Sequence, residues 1–334
     1  MNDTVAMTNP LDGVAAAALA RYDFSPDSTI TLVNVSENTT YRVDDHATGR
    51  RAALRVHRLN YHTRQEIESE LLWMDALRED GVVSPPVAIA ARDGSRVQTI
   101  EVEDGGPPRH AVMFDWLPGT SPSPEGDLAP SFDALGSLAA KMHLHGESWQ
   151  RPEGFRRYTC DYDAALGPNP MWGRWQDGVG LGAYERDVLS RADAEIKRRL
   201  TEYGEGKGRF GLTHNDLRPA NLIYDGDDLY VIDFDDCGFS WFMYEFASAV
   251  SLIEDDPRVG DWMATWLDSY VRHRPLTRED RDILPTLVLF RRLLLVGWVG
   301  SHSAYAKEAR DLGAGYTAGA CRIADDYLSD RFLR

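Results

Sequence analysis

The chain has 334 residues, which predicts about two domains with ample hydrophobic core. Charged residues make up 27% and hydrophobic residues 43%, a composition that excludes a disordered chain. The net charge of −17 argues against nucleic acid and anionic membranes as partners and favours cationic ligands, although solubility is the simpler explanation. The three cysteines lie far apart and form no metal or redox pair, which fits a reduced cytoplasm.

No membrane-spanning segment is predicted, no membrane partner is expected, and the expected location is cytoplasmic. The apolar run at 14–20 lacks the basic start and the length of a signal peptide. The apolar stretch at 286–300 contains Arg291 and Arg292, which divide it below the length needed to span a bilayer. Residues 1–23 are expected to form a tail and a short alanine-rich helix.

Two strands are predicted next along the chain. The run T-I-T-L-V-N-V at 29–35 and the run Y-R-V at 41–43 are extended, and the turn between them at 36–40 contains no glycine. Taken alone, these segments predict an ordinary hairpin.

A strand and a helix follow, each with one charged residue that attracts notice. Residues 52–58 alternate, so that Leu54 faces one side of the strand and Arg55 the other. Residues 64–79 have helical spacing, and Glu70 lies at the edge of the apolar stripe, where a carboxylate needs a partner. Arg55 is the candidate partner. Two unrelated surface side chains are the alternative.

The remaining elements are predicted from periodicity and turn residues. Strands are expected at 96–103 and 110–116, and a Pro-, Ser- and Gly-rich linker at 121–130. An aromatic, irregular segment occupies 158–175 and is either a lid or a structural loop. Helices are expected at 132–145, 184–202, 241–253, 262–271 and 284–306.

The stretch 213–236, T-H-N-D-L-R-P-A-N-L-I-Y-D-G-D-D-L-Y-V-I-D-F-D-D, carries the chemistry. Two short apolar runs separated by D-G-D-D predict a β-hairpin. A turn centred near Asp227 would place Asn221 opposite Asp233. Asp216 precedes the hairpin on a loop that the proline after it keeps from being helical, so its carboxylate faces the same pair.

The spacing H-x-D-x-x-x-x-N, followed by an aspartate at the end of a strand, suits phosphoryl transfer, where catalysis is mostly positioning and charge neutralisation. Asp216 would orient an attacking hydroxyl and take its proton late, as a general base. Asn221 and Asp233 would hold Mg²⁺, which prefers oxygen ligands. His214 would brace the loop. The alternative is an acidic surface hairpin beside a buried histidine.

Residues 214–236 resemble the catalytic and metal-binding segments of the aminoglycoside phosphotransferase and choline kinase-like superfamily, whose members are relatives of protein kinases. His214-Asn215-Asp216 stands where protein kinases have H-R-D, and I-D-F-D-D at 232–236 stands in place of D-F-G. The joint pattern is specific, whereas H-x-D alone would be weak.

The resemblance implies an α+β, two-lobed protein-kinase-like fold with nucleotide held between the lobes. A small antiparallel β N-lobe, which binds nucleotide, would comprise 24–117 after the N-terminal tail and helix at 1–23. A larger, mainly α-helical C-lobe at 118–334 would carry the catalytic and acceptor-binding residues.

Nucleotide-binding roles in the N-lobe are also implied by the resemblance. Arg55 would replace the usual phosphate-binding lysine and pair with Glu70; it is always charged and can grip phosphate, but with a different reach. Met113 would be the gatekeeper, with the Phe114 carbonyl and the Trp116 amide facing adenine. The residues expected to contact nucleotide are Ser36, Asn38, Thr39, Arg55, Glu70, Met113, Phe114 and Trp116.

The expected activity is transfer of the γ-phosphate of ATP or GTP to a hydroxyl of a small molecule, such as an aminoglycoside, choline or a homoserine-like acceptor. The net charge favours a cationic acceptor, whereas an arginine pair facing the pocket would suit an anionic or zwitterionic one. Glu245 lies where relatives often have an aspartate that supports the catalytic loop. The candidates for contact with the acceptor are Asp235, Glu245, Arg291 and Arg292.

Two other functions remain open at this point. One is a Ser/Thr protein kinase of the bacterial stress-response type, which would need an open groove beside Asp216. The other is a nucleotide-binding module without catalysis, which is disfavoured because Asp216, Asn221 and Asp233 are all present. The oligomeric state is not predicted.

Overall fold

The structure, a computed structural model, describes residues 9–36, 38–102, 105–304 and 306–333. The chain divides into two compact units. The first comprises Met1–Ala76, Pro85–Pro118 and Glu153–Arg156, and the second comprises Leu77–Ser84, Gly119–Pro152 and Arg157–Arg334.

The first unit is built on an antiparallel sheet. Its elements are α1 (Asp12–Leu19), β1 (Thr29–Val35), β2 (Thr39–Asp44), β3 (Arg51–Val56), α2 (Arg64–Glu79), β4 (Ala88–Ile89), β5 (Val97–Ile100) and β6 (Arg109–Asp115). The sheet order is β1-β2-β3-β6-β4, and β5 also pairs with β6. Strand β2 alternates between buried and partly buried side chains, as expected for a strand with one face in the core.

The two faces of this sheet differ in what they carry. Leu54 pairs with Met113 and Arg55 with Val112 across β3 and β6. Because successive side chains point to opposite faces, Leu54 and Met113 share one face and Arg55 the other. The Leu54 face packs with Val14 of α1 in a hydrophobic core.

The second unit is mainly helical. Its helices are α3 (Ala129–Ser148), α4 (Tyr162–Leu166), α5 (Ala183–Tyr203), α6 (Tyr244–Ala249), α7 (Val259–Tyr270), α8 (Arg278–Asp282), α9 (Leu284–His302) and α10 (Lys307–Leu328). Its strands form two ribbons, β7 (Phe210–Thr213) with β10 (Gly238–Trp241), and β8 (Leu222–Asp225) with β9 (Asp228–Val231). Short 3₁₀ turns lie at Trp175–Asp177, Pro219–Asn221 and Phe234–Asp236.

The segment Arg278–His302, which includes α9, is long and apolar enough to cross a membrane by length and composition. However, 89% of its most apolar window is buried inside the protein, and the core helix of a globular domain passes the same test. Both arginines of this helix form ion pairs inside the protein, Arg291 with Asp216 and Arg292 with Glu254. The helix is therefore the central core helix of the second unit.

The α+β architecture predicted from the sequence is confirmed, and the helix predicted at 64–79 has those bounds. Several elements of the second unit differ from prediction. Trp241 ends strand β10 instead of starting a helix, and α4, α8 and α10 were not expected. Helix α10 contains Gly313, Gly315 and Gly319, and glycine is a poor helix former; the backbone at Gly313 is non-helical, with φ 46°. Glu103, predicted as the end of a strand, lies outside the described residues, as does Glu37 in the turn predicted at 36–40.

Candidate active site

The loop after β7 is shaped by two residues with left-handed backbone at its margins. Asn215 has φ 65° and Asp233, across the hairpin, has φ 63°. Asparagine and aspartate tolerate this region better than other side chains, and such conformations concentrate at functional sites. The Thr213 hydroxyl donates to the Asn215 side-chain oxygen at 2.7 Å, which stabilises the turn. The loop at 214–218 is non-helical, as expected, and Pro219 begins a 3₁₀ turn, since proline is well suited to the first position of a helical turn.

His214 braces the loop, as the sequence predicted. Burial lowers the pKa of His214 to about 4, so the imidazole is neutral at pH 7. Its Nδ1 accepts from the Asp216 amide at 3.3 Å, so the proton lies on Nε2, which donates to the Ile232 carbonyl at 3.1 Å. The histidine thus connects the catalytic loop to the end of β9.

Glu245 lies beneath the same loop. It is completely buried, and its Oε1 accepts from the Asn215 amide at 2.9 Å. Burial raises the pKa of Glu245 to about 7, opposed by hydrogen bonds from the amides of Asn215 and His214. Glu245 is therefore a support for the loop and does not present its carboxylate to an acceptor.

The carboxylate of Asp216 is held from two sides. Its Oδ2 accepts from Asn221 Nδ2 at 2.8 Å and from Arg218 Nε at 3.3 Å. Its Oδ1 accepts from Arg291 Nη2 at 2.9 Å. Proximity of Asp216 raises the pKa of Arg218. The structure thus surrounds one carboxylate with an amide and two guanidinium groups.

The hairpin register differs by one residue from the prediction. Asp225 pairs with Asp228, so the loop is the two-residue turn Gly226–Asp227, in which Gly226 has φ 59°. A two-residue turn with glycine first matches the twist of the strands, and it moves the turn centre between residues. Asn221 therefore lies opposite Ile232, whose amide donates to the Asn221 carbonyl at 3.0 Å, and not opposite Asp233.

Asn221 lies just before β8 and Asp233 two residues after β9, at the base of the hairpin, and their side chains fit a hard cation. Asn221 donates its amide nitrogen to the Asp216 carbonyl and carboxylate, both at 2.8 Å, which turns its side-chain oxygen away from Asp216. Asp233 is exposed. One amide oxygen and one carboxylate are ligands that Mg²⁺ takes when phosphates and waters complete its shell. The donor set fits Mg²⁺.

Arg291 and Arg292 do not face one pocket. Arg292 Nη1 donates to Glu254 Oε2 at 2.5 Å, and its Nη2 donates to the Tyr316 carbonyl at 2.9 Å. Consecutive helix residues point in different directions, so of these two arginines Arg291 reaches Asp216 and Arg292 does not. The two arginines therefore have separate partners, and this arrangement does not support the alternative in which they bind an anionic or zwitterionic acceptor as a pair.

Asp235, another candidate for acceptor contact, is buried in the 3₁₀ turn after Asp233. Arg157 donates to its main-chain carbonyl, and also to the Cys237 carbonyl at 2.5 Å. This buried arginine fixes the backbone of the 3₁₀ turn that follows Asp233.

The first unit contains the expected ion pair. Arg55 Nη2 donates to both oxygens of Glu70, at 2.6 and 2.8 Å, and Glu70 is fully buried. The Arg55 guanidinium also lies 5.0 Å from the centre of the Phe114 ring. Met113, the expected gatekeeper, faces the opposite side of the sheet, in the core with α1, and does not share the Arg55 face. Trp116 is about one-third exposed at the end of β6.

Three of the residues expected to contact nucleotide, Ser36, Asn38 and Thr39, lie between the end of β1 and the start of β2. The Ser36 amide donates to the Asn38 carbonyl at 2.9 Å, and Thr39 already belongs to β2. The Asn38 side-chain oxygen accepts from the Arg58 amide at 3.1 Å, so Asn38 stabilises the turn from below. Asn38 and Thr39 are buried, which leaves Ser36 as the more accessible of the three.

Sequence reasoning missed Arg218, Arg157 and Tyr244. Arg218 lies two residues after Asp216 within the stretch identified as catalytic, so its position was a usable signal. Arg157 immediately precedes the irregular aromatic segment and Tyr244 lies at the start of α6, and no periodicity singles out either residue.

A family model for the phosphotransferase enzyme family matches residues 29–279, well over half of the chain, and the chain belongs to this family. A solved structure of a microcompartment-associated aminopropanol kinase is 45% identical, covers 96% of this chain and 99% of that chain, and has a TM-score of 0.89. The protein therefore has the protein-kinase-like fold and is a kinase, and these likenesses place it among small-molecule kinases.

More distant relatives share the fold. An amicoumacin kinase of Bacillus subtilis strain 168 is 21% identical over 318 residues, 91% of this chain and 90% of that protein. A solved amicoumacin kinase with AMP-PNP and Ca²⁺ bound is also 21% identical, covers 96% of this chain and 94% of that chain, and has a TM-score of 0.76.

Proposed function

We propose that the protein transfers the γ-phosphate of ATP or GTP to the hydroxyl of a small amino alcohol, with aminopropanol as the first candidate. The observation that carries this proposal is the held Asp216 carboxylate, with Asn221 and Asp233 beside it at the base of the hairpin. The relative at 45% identity, whose name specifies an amino alcohol, supports the acceptor class. The net charge of −17 also favours a cationic acceptor.

Asp216 is the proposed general base. Its carboxylate offers about four lone-pair directions, and Asn221, Arg218 and Arg291 use three of them. The direction that remains, on Oδ1, would accept the hydrogen bond of the acceptor hydroxyl. As the hydroxyl oxygen bonds to phosphorus and the bond to the leaving nucleotide oxygen breaks, the hydroxyl proton passes to Asp216.

Asn221 and Asp233 would hold Mg²⁺, which supplies charge neutralisation for the phosphate oxygens when bound. Arg55, oriented by Glu70, would contact the nucleotide phosphates. Phe114 lies on the Arg55 face of the sheet, and it is the proposed gatekeeper instead of Met113. Ser36 is the proposed phosphate contact of the turn.

The test is an acceptor panel with purified protein, ATP or GTP, and Mg²⁺. The panel contains aminopropanol isomers, ethanolamine, choline, homoserine and an aminoglycoside, and ³¹P NMR identifies the phosphomonoester. We expect turnover with at least one amino alcohol and less with homoserine. A preference for homoserine would contradict the acceptor class, and labelled protein bands in a cell extract would favour the protein-kinase alternative.

A further inference from the structure

Arg291 is attached to the rest of the second unit through all three of its guanidinium nitrogens. Nε donates to Ser251 Oγ at 3.0 Å, Nη1 to the Tyr244 hydroxyl at 2.9 Å, and Nη2 to Asp216 Oδ1 at 2.9 Å. The side chain is 3% exposed. A planar guanidinium bound at three points has little freedom to rotate, so the nitrogen that meets Asp216 has one position.

The aromatic segment fixes the guanidinium from another direction. The Trp172 ring centre lies 5.0 Å from the Arg291 guanidinium carbon. This ring is kept in place because Ser301 of α9 donates to the Trp172 carbonyl, and because Gly297 of α9 leaves room for the Gly173 carbonyl. The aromatic segment at 158–175, for which a lid and a structural loop were the alternatives, is therefore attached to α9. It supplies the ring that packs on the Arg291 guanidinium.

Arg291 and Arg292 are neighbours on α9 with the same burial but different partners. Arg291 is 3% exposed and bonds to Asp216, whereas Arg292 is 2% exposed and bonds to Glu254. Burial alone would lower the pKa of Arg291, but Tyr244 and Asp216 outweigh burial and raise it, so its charge is constant. The chain thus provides its own control for a buried arginine in an ion pair that does not touch the catalytic loop.

We infer that Arg291 is the positioning residue for Asp216: it aims the catalytic carboxylate by occupying one direction of Oδ1 and leaving the other for the acceptor hydroxyl. This inference rests on the proposed role of Asp216. A misplaced base lowers the rate of the chemical step without weakening nucleotide binding, because the hydrogen bonds of Arg291 go to Ser251, Tyr244 and Asp216, none of which is proposed to contact nucleotide.

The test compares Arg291→Met with Arg292→Met in steady-state kinetics, at a temperature where circular dichroism shows both variants folded. We expect Arg291→Met to lower kcat on the order of 10²-fold with the KM for nucleotide unchanged, and guanidinium ion in the assay to restore part of the loss. We expect Arg292→Met to lower the Tm but to keep kcat near that of the wild type. Wild-type kcat in Arg291→Met, or an equal loss in Arg292→Met, would overturn the inference.

Two further measurements keep the inference testable. Should Arg291→Met not fold, the double variant Tyr244→Phe/Ser251→Ala releases two of the three attachments of Arg291, and an unchanged kcat in that variant would count against us. A crystal structure of Arg291→Met, or of that double variant, is independent of turnover. It should show the Asp216 carboxylate rotated or in several conformers, and a carboxylate in the wild-type orientation would refute the positioning role. Absence of wild-type turnover on every acceptor would instead contradict the proposed function.

Discussion

Glu245 and His214 are buried under the catalytic loop with pKa values displaced in opposite directions. Burial raises the pKa of Glu245 from 4.5 to about 7 and lowers that of His214 from 6.5 to about 4. Glu245 therefore contributes stability that is present below pH 4.5 and is lost as the pH rises toward 7. His214 contributes stability that is present above pH 6.5 and is lost as the pH falls toward 4. Between pH 4.5 and 6.5 the two contributions change with pH in opposite directions, so their sum stays nearly constant.

Replacing Glu245 with glutamine should expose the His214 effect. Relative to the wild type, the free energy of unfolding of Glu245→Gln should increase by about 1.4 kcal/mol for each pH unit from about pH 4.5 to 6.5. Urea denaturation at a series of pH values within this range measures the difference. Parallel pH profiles for the two proteins would show that Glu245 is not protonated in the folded state.

Arg55 and Glu70 allow stability and nucleotide binding to be separated. Arg55→Met removes the guanidinium partner of a fully buried carboxylate and should destabilise the protein by about 3–5 kcal/mol. The double variant Arg55→Met/Glu70→Leu should recover most of this stability, because no buried charge is left without its partner. Both variants should bind nucleotide more weakly than the wild type, as measured by isothermal titration. Wild-type affinity in the double variant would exclude Arg55 as a phosphate contact.

At the residue scale, a contact could be predicted where a sequence pattern pointed to both residues. It was missed where no pattern connected the two. Glu70 stood out as an acid at the edge of an apolar stripe, and its ion pair with Arg55 was confirmed. The contact between Arg291 and Asp216 joins residues 75 positions apart. No periodicity or spacing connects them, since the packing of α9 against the loop determines that contact.

At the scale of elements, α9 is shaped to receive the aromatic segment. A Cβ at Gly297 would overlap the Gly173 carbonyl, and one at Gly300 would lie 2.9 Å from the Asp177 carbonyl. Glycines on this face let the backbone of the segment approach the helix closely. The same contact places Trp172 on Arg291, so the packing of the helix and the geometry of the site depend on each other.

Gly297→Ala should therefore affect both stability and rate. We expect a loss of about 1–3 kcal/mol from overpacking, together with a lower kcat because Trp172 moves from Arg291. The control is Gly260→Ala in α7, where a Cβ meets nothing within 4 Å and a small gain of about 0.4–1 kcal/mol is expected. Chemical denaturation and kinetics measure both. A Gly297→Ala variant as stable and active as Gly260→Ala would contradict the close packing.

A helix with an apolar stripe and no helix-breaking residue could be predicted, and a helix that contains several glycines could not. The helix at Arg64–Glu79 has a clear apolar stripe and no glycine, whereas α10 contains Gly313, Gly315 and Gly319. The hairpin was predicted correctly as an element, but its register was wrong by one residue. Register depends on the turn conformation, and D-G-D-D permits more than one turn.

At the scale of the whole molecule, each of the two units contributes one part of the proposed reaction. The first unit has the Arg55–Glu70 pair and the Phe114 ring, and the second has the held Asp216 carboxylate. The family and the kinase-like fold could be anticipated from the stretch 213–236, because several required residues occur there in order. The acceptor could not, because no residue in that stretch specifies it.

The central claim is that Asp216 is the base of a phosphoryl transfer. The most direct test is the kcat of Asp216→Asn on the best acceptor of the panel, with nucleotide affinity measured on the same preparation. Asp227→Asn, in the exposed hairpin turn, is the control for an acid-to-amide change nearby. We predict that Asp216→Asn lowers kcat by about 10²–10⁴-fold and leaves nucleotide affinity nearly intact, while Asp227→Asn behaves as the wild type. Undiminished turnover in folded Asp216→Asn would contradict the account.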